Sequence, residues 1–393
     1  MPQERIGIMT FQKNFHRHSV DLHRLLSELL NFVRHNVVLI VAIVLAVATS
    51  CIIPPDAQYL SYFDWKTLTC LFCTLAVICA LKNIKFFTVL SQKIISCTGT
   101  LRMAVLALVY VTFLGSMLIS NDMALLTFLP LGYFVLSSTS NERHMAFVFI
   151  MQNIAANLGG MLTPFGNPQN LYLYSKFNIP TGEFMQIMLL PFLASIALIT
   201  ICCLFLPSKS LSIKEPCFYR LPVRRTAIYL FLFAFSIIIV FRLIPYWIGL
   251  ILIPAALLVL DRDALKKVDY GLLATFFCFF IFAGNMARIP AVSMLFSSLL
   301  EKNTLLFSIL SCQVISNVPS AVLLSQFTTD YPALLLGVNI GGTGTLIASL
   351  ASLISFREYV SHNPGRAVSY LGKFSAYNFS FVIILTLLCM VIL

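Results

Sequence analysis

The sequence predicts an all-α polytopic membrane protein with two inverted-topology repeats, each carrying a re-entrant hairpin and a broken transmembrane helix. Three observations lead there. Of the 393 residues, 59% are hydrophobic and only 10% are charged, against about 25% charged in a soluble domain. The apolar runs are unbroken, as in 36–53, 183–206 and 227–240, whereas the strands of a membrane barrel would alternate apolar and polar residues. Finally, one cluster of small and polar residues occurs twice. The first copy is Ser120-Asn121-Asp122, followed by Asn157-Leu158-Gly159-Gly160-Met161-Leu162-Thr163-Pro164 and then Asn167-Pro168-Gln169-Asn170. The second is Ser316-Asn317-Val318-Pro319, followed by Asn339-Ile340-Gly341-Gly342-Thr343-Gly344-Thr345 and then Ser349 and Ser352. Lipid does not hydrogen-bond, so such clusters at membrane depth need protein or a hydrated cavity around them. Matched interruptions in the two halves of a membrane chain point to a transporter's binding site.

The elements follow in order. Residues 1–35 form a basic segment, read as cytoplasmic, with no small-residue cleavage site of a signal peptide behind it. A first transmembrane half spans 36–206, with repeat 1 from about 64 to 206. A basic cytoplasmic loop occupies 207–226, and a second half spans 227–393, with repeat 2 from about 269 to 393. Crossings are expected near 36–53, 65–81, 145–178 (broken), 183–206, 227–243, 246–260, 270–285, 331–355 (broken) and 374–393. The segments 101–138 and 303–329 carry the Ser-Asn pairs near their middles and read as re-entrant hairpins. Each is preceded by a mixed stretch, 82–100 or 285–302, suited to an amphipathic helix at the interface.

Charge placement tests this order. With a cytoplasmic N-terminus, the inside segments hold 21 of the 26 Lys and Arg, and the outside keeps Lys66, Lys176, Arg242, Arg288 and Lys302. That is the positive-inside bias, so the net charge of +11 reports topology and not nucleic-acid binding. Five crossings separate Asp64-Trp65 from Asp269-Tyr270, which open equivalent spans. An odd number turns the second repeat upside down. The first hairpin then enters from the cytoplasm and the second from outside, the geometry of an alternating-access carrier in the cell membrane. The C-terminus falls on the extracytoplasmic side.

The polar residues suggest the chemistry. Asn121 and Asn317, with Ser120 and Ser316, fall near the hairpin tips, where side-chain amides and hydroxyls can pair with exposed helix ends and with a ligand. A single such Asn could simply cap a broken helix; recurrence in the same surroundings points to binding. Gly159-Gly160 and Gly341-Gly342 let the backbone unwind and approach an ion, or let helices pack closely. Thr163 and Thr345 follow at equal spacing, with Thr343 between the second pair and Thr345, and Asn167 and Asn170 match Ser349 and Ser352 at an offset of 182. Asp122 is the ionisable residue expected near the bilayer midplane, a costly placement that marks a proton- or cation-coupling group; as a cap on a half-helix it would be structural. Its counterpart is Val318. With no Arg, Lys or His expected in the core, an anion would be held by helix N-termini, amides and hydroxyls beside a co-bound cation. The six His lie in the N-terminal tail and in loops, without a catalytic cluster, so no enzyme is expected. No cofactor is expected beyond Na⁺ or H⁺ as coupling ion. Cys70-Leu71-Phe72-Cys73 has metal-ligand spacing but no second pair, and reads as packing.

At these residues the chain resembles the ion transporter superfamily over about 36–393. That group holds the divalent anion:sodium symporters, the citrate transporter-like permeases, the arsenite permeases and one class of sodium/proton antiporters. Ser120-Asn121-Asp122 and Ser316-Asn317-Val318 stand where the dicarboxylate symporters carry paired Ser-Asn-Thr motifs, and Asn339–Ser352 is similar to their Gly-Gly-Thr-x-Thr segment. Neither copy has the Thr of Ser-Asn-Thr; Asn121-Asp122 and Asn317-Val318-Pro319 look more like the arsenite permease and antiporter branch. The resemblance implies one Na⁺ site at Ser120, Asn121 and Gly160, a second at Ser316, Asn317 and Gly342, and a homodimer. The expected function is secondary active transport of a small anion, a carboxylate or inorganic oxyanion, coupled to Na⁺ or H⁺. The alternative is a Na⁺/H⁺ antiporter or a metalloid efflux permease.

Overall fold

The computed structural model describes residues 37–210 and 220–392. The basic segment expected at 1–35 and the middle of the 207–226 loop lie outside the described residues. Among the described residues the chain is helical, and its β pairing is one isolated bridge between Thr100 and Ser210. Seven helical stretches there are long and apolar enough to cross a membrane: Trp65–Asn83, Leu101–Ile119, Glu142–Leu162, Thr181–Leu204, Val223–Val240, Tyr270–Ala287 and Ala367–Val391. Val37–Ile52, Tyr246–Leu260 and Tyr331–Gly341 are apolar but shorter. This is a multi-pass helical membrane protein. Leu101–Ile119, expected as one arm of a re-entrant hairpin, passes the length test because its 19 residues extend about 28 Å.

In chain order the helices are α1 (Val37–Ile52), α2 (Trp65–Asn83), α3 (Phe86–Ser96), α4 (Leu101–Ile119), α5 (Asn121–Ser138), α6 (Met145–Gly159), α7 (Pro168–Lys176), α8 (Thr181–Leu204) and α9 (Val223–Val240). Then come α10 (Tyr246–Leu260), α11 (Arg262–Lys266), α12 (Tyr270–Ala287), α13 (Pro290–Ile315), α14 (Asn317–Leu324), α15 (Tyr331–Gly341), α16 (Leu350–His362) and α17 (Ala367–Ile392). α13 is broken at Asn303, whose backbone leaves the helical region. The amphipathic stretch and hairpin arm expected on either side of 302–303 are therefore distinct pieces.

Local chemistry explains the boundaries. Asp64 starts α2 by accepting the Thr67 amide at 3.0 Å, and Asp269 starts α12 by accepting that of Leu272 at 2.9 Å. Each satisfies one of the free donors at a helix N-terminus. Just before each sits a second matched pair that the sequence reading did not single out. Asp56 caps a 3₁₀ turn, Ala57–Tyr62, through Gln58, and Asp261 caps α11 through Ala264. The Asp56 carboxylate accepts two hydrogen bonds from Arg288, at 3.1 and 2.7 Å. The Asp261 carboxylate accepts the amide of Asn83 at 3.2 and 3.1 Å. Asp56 and Asp261, Asp64 and Asp269, and Asn83 and Arg288 are all 205 residues apart. Each half thus clasps the end of the other half's helix, while α1 packs on α12 and α10 on α2.

The remaining elements recur in the same order. α4 and α5 meet at Ser120, and α13 and α14 meet at Ser316. α6 and α15 each end at a Gly-Gly pair, an irregular segment follows, and α7 and α16 restart the helix. Packing crosses between halves again: α16 lies on α5 and α6, and α7 lies on α14 and α15.

Candidate functional site

Each hairpin tip is a single residue in a rare backbone conformation. Ser120 has φ 68° and ψ 158°, and Ser316 has φ 74° and ψ 161°. Outside glycine this region costs on the order of 1–3 kcal/mol and persists only where the surroundings impose it. The residue after each tip is held alike: Asn121 Oδ1 accepts the Asp122 amide at 3.0 Å, and Asn317 Oδ1 accepts the Val318 amide at 2.8 Å. Each Asn, the first residue of its second arm, thus holds the amide that follows it. Their amide groups do more. Asn121 Nδ2 donates to Asn157 Oδ1 at 3.1 Å and to Ser349 Oγ at 3.3 Å. The first tip thereby reaches the break in its own half and the N-terminus of α16 in the other.

The Gly pairs are required by close approach. A Cβ on Gly159 would collide with the Phe113 carbonyl oxygen, and one on Gly341 would come within 2.9 Å of Cys312. These contacts seat both breaks on the first arms of the hairpins. Gly160 lies under the Asn167 side chain, and Gly342 lies under that of Asn317, 2.9 Å from where its Cβ would be. Thr163 and Thr345 tie the irregular segments down: their hydroxyls donate to the Met117 carbonyl at 3.4 Å and to the Gln313 carbonyl at 3.2 Å. Gln313, which the sequence reading passed over, adds bonds from its amide to the Gly341 carbonyl at 2.9 Å and from the Thr345 amide to its Oε1 at 2.8 Å. Asn317 N–H and the Ser316 hydroxyl both donate to the Ala348 carbonyl, at 2.9 and 3.2 Å.

The two halves interlock at the centre. Asn170 donates to the Gly160 and Met161 carbonyls, at 3.1 and 3.3 Å, and accepts Asn339 Nδ2 at 2.6 Å. Asn157 and Asn339 are 182 residues apart, the same offset as Asn167 to Ser349, so a signal for them was present in the sequence. A further line of amides, unforeseen, runs from Asn157 to Asn153 and on to Asn378 in α17. Ser349 caps α16 by accepting the Ala351 amide at 3.2 Å. Asp122, beside it, has the Ala351 amide against its carboxyl.

What distinguishes this region is polar capacity left over. Asp122 Oδ1, both side-chain heteroatoms of Asn167, Gln169 Oε1, Asn339 Oδ1, Thr343 Oγ1 and Ser352 Oγ are buried without a hydrogen-bond partner. Each such group ordinarily costs about 1–3 kcal/mol, so a cluster of them calls for partners that a water or a bound ligand can supply. The donor set, carbonyl and carboxylate oxygens with amides and hydroxyls, suits a hard cation, an oxyanion or both. Among the described residues no group of three or more His, Cys, Asp or Glu is placed to hold a metal. A cavity of about 20 Å³ lined by Thr74, Ser120, Phe165 and Pro168 adjoins the first tip.

In this helical multi-pass chain the two hairpin tips and two broken helices meet around buried polar groups, and the comparisons make it a membrane transporter. Comparison with known proteins gives its kin. Residues 25–333 match the model of the citrate transporter family, CitMHS, and the chain belongs to that family. It is 31% identical over 297 residues to the uncharacterized transporter MJ0456 of Methanocaldococcus jannaschii, covering 75% of this chain and 81% of that one. It is 29% identical over 303 residues to the inner membrane protein YbiR of Escherichia coli, covering 75% and 80%.

Proposed function

We propose that this protein is a secondary active transporter that carries a small anion, a carboxylate or inorganic oxyanion, across the cell membrane by alternating access, coupled to Na⁺ or H⁺. The observation that carries this reading is the buried cluster of unpartnered polar atoms shared by both halves. Anion groups are drawn to the N-termini of α7 and α16 and to the amides and hydroxyls of Asn167, Thr343 and Ser352. The coupling cation sits at the tips, at Ser120, Asn121 and Gly160, with a second place at Ser316, Asn317 and Gly342. Family membership supports small-ion transport in general; the substrate itself is part of the proposal.

The halves are inverted repeats with the N-terminus cytoplasmic and the C-terminus outside. The reciprocal clasps Asp56–Arg288 and Asp261–Asn83 support the repeat, since each half holds the other in an equivalent way, and the placement of Lys and Arg supports the orientation. The hairpins and broken helices move together against the α1, α2, α10 and α12 region, in a homodimer. A cysteine placed at exposed position 58 will react with a membrane-impermeant thiol reagent from outside; labelling confined to the cytoplasmic face would overturn the orientation.

Uptake of radiolabelled citrate, succinate, sulfate and arsenite into proteoliposomes, under imposed Na⁺ or pH gradients, tests the function. Gradient-driven accumulation of one of the anions is the expected result. Accumulation of none, with Na⁺-driven proton movement instead, would establish the antiporter reading. That reading draws on one observation, the buried Asp122 carboxylate oxygen without a partner. Arsenite export alone would establish a metalloid permease.

A further inference from the structure

We propose that Thr74, on α2, is a ligand of the coupling cation at the first hairpin tip, so that this cation place is shared between α2 and the hairpin. This deepens the transport reading and rests on its cation place at Ser120. A cavity needs about 10–15 Å³ to hold one water molecule. The cavity of about 20 Å³ beside the tip therefore takes one water or one small cation. One of its walls is a stripe of α2 that includes Thr74; the other is Ser120, Phe165, Pro168 and Leu171. Of the residues around it, only Thr74 and Ser120 are polar.

Both hydroxyls are free to take a guest. Thr74 lies midway along α2 and is 6% exposed, and its Oγ1 is buried without a hydrogen-bond partner. Other buried threonines in these helices behave differently. Thr112, Thr275 and Thr304 each return the hydroxyl to the carbonyl four residues back, at 2.8, 2.7 and 3.0 Å. Thr74 leaves that bond unmade at a depth where no bulk water replaces it, which costs stability unless a guest supplies the partner. The Ser120 hydroxyl makes no hydrogen bond among the described residues, whereas Ser316 at the other tip donates to the Ala348 carbonyl at 3.2 Å. The residue 205 beyond Thr74 is Phe279, so the second half has no matching hydroxyl. Oxygen ligands suit a hard cation. Asp122, two residues beyond Ser120, has a buried carboxylate oxygen without a partner and supplies the opposite charge. α2 belongs to the region against which the hairpins move. Movement of the first hairpin takes the cation away from Thr74, so the cation binds more tightly in the arrangement with the tip against α2 and favours it.

The test uses the purified full-length protein at one fixed pH, with thermal melting followed as Na⁺ replaces choline at constant ionic strength. A ligand of the folded state raises the melting temperature, and Na⁺ is expected to do so in the wild type. Thr74→Val keeps the shape and loses the hydroxyl; it should need about tenfold more Na⁺ for the same rise, the effect of one lost bond to a charged group. Thr74→Ala should lose about as much, and stands in for Thr74→Val if that variant does not fold. Thr74→Ser keeps the hydroxyl and should stay within about threefold of wild type. Thr275→Val, which removes a hydroxyl already bonded within α12, should respond to Na⁺ as the wild type does. Wild-type Na⁺ dependence in Thr74→Val or Thr74→Ala overturns the inference. A higher melting temperature of Thr74→Val at every Na⁺ concentration, with the dependence unchanged, makes water the sole occupant and overturns it too. A wild type indifferent to Na⁺ that accumulates an anion under a pH gradient overturns it and leaves transport standing. Indifference to Na⁺ without accumulation under either gradient overturns both.

Discussion

Gly160 and its neighbour Gly159 separate the cluster from the fold that holds it. In Gly160→Ala, the new Cβ would lie 2.6 Å from Asn167 Oδ1 and 2.8 Å from Nδ2. Ordinary contact begins near 3.5 Å, so Asn167 must withdraw by about 0.9 Å. Asn167 is 1% exposed, and overpacking of this kind costs about 1–3 kcal/mol. Helix propensity returns up to about 1 kcal/mol for replacing glycine. The variant should fold, with a melting temperature a few degrees lower at most. Its binding should suffer more. A hydrogen bond to ligand stretched from about 2.9 Å to about 3.8 Å is no longer one. Losing a bond to a charged group costs about 1.5–3 kcal/mol, or roughly 10- to 100-fold in apparent affinity. Gly159→Ala is the contrast. Its Cβ would meet the Phe113 carbonyl and come within 2.5 Å of Ser116 Oγ, so the backbone of the hairpin arm must move. A loss of about 3 kcal/mol or more is expected, seen as a large fall in thermal stability. The assay is uptake in proteoliposomes at varied substrate concentration, beside thermal melting in detergent. Wild-type affinity in Gly160→Ala, or equal melting losses in both variants, would refute the reasoning.

Other expectations follow from the same geometry. Ser120→Gly relieves the positive φ at the first tip and should gain about 1 kcal/mol in stability by melting, whereas Ser316→Gly also loses the hydroxyl's bond to the Ala348 carbonyl and should gain less. Gln313→Met puts the residue type of the first copy into the second; the Gly341 carbonyl and Thr345 amide lose their partner, and destabilisation of about 1–3 kcal/mol per buried group is expected in the same melt. Arg288 holds the Asp56 carboxyl below its ordinary 3.8. A depressed folded value means the clasp contributes in full above that pH and is lost as pH falls through the lowered value; Arg288→Met should flatten the acid limb of a stability-against-pH curve.

The positions of the helix breaks and of their small and polar residues were legible in the sequence, and the partners of those residues were not. Ser-Asn and Gly-Gly stand out because small and polar residues are costly in lipid, and the offsets of 196 between Asn121 and Asn317 and of 182 between Gly160 and Gly342 identify equivalents. An offset gives no information on which residue meets which. Cross-half bonds such as Asn121 to Ser349 and Asn339 to Asn170 arise from how the repeats interlock, which no local pattern encodes. Thr163 and Thr345 look like ligand groups by composition, yet their hydroxyls are spent on hairpin carbonyls. The Asp56 and Asp261 clasps escaped notice because an acidic residue in a loop is ordinary. Gln313 did so because its counterpart is Met117, and repeat matching favours identities over the differences that specialise one copy.

The central claim is that both halves build one functional cluster, and the Asn121–Ser349 bond tests it most directly. Gradient-driven uptake should be measured for Asn121→Ala, Ser349→Ala and the double variant, each checked for wild-type-like folding. The account predicts that each single variant loses most accumulation and that the double loses little more, since both remove the same contact. Wild-type accumulation in either single variant, or fully additive losses, would contradict it.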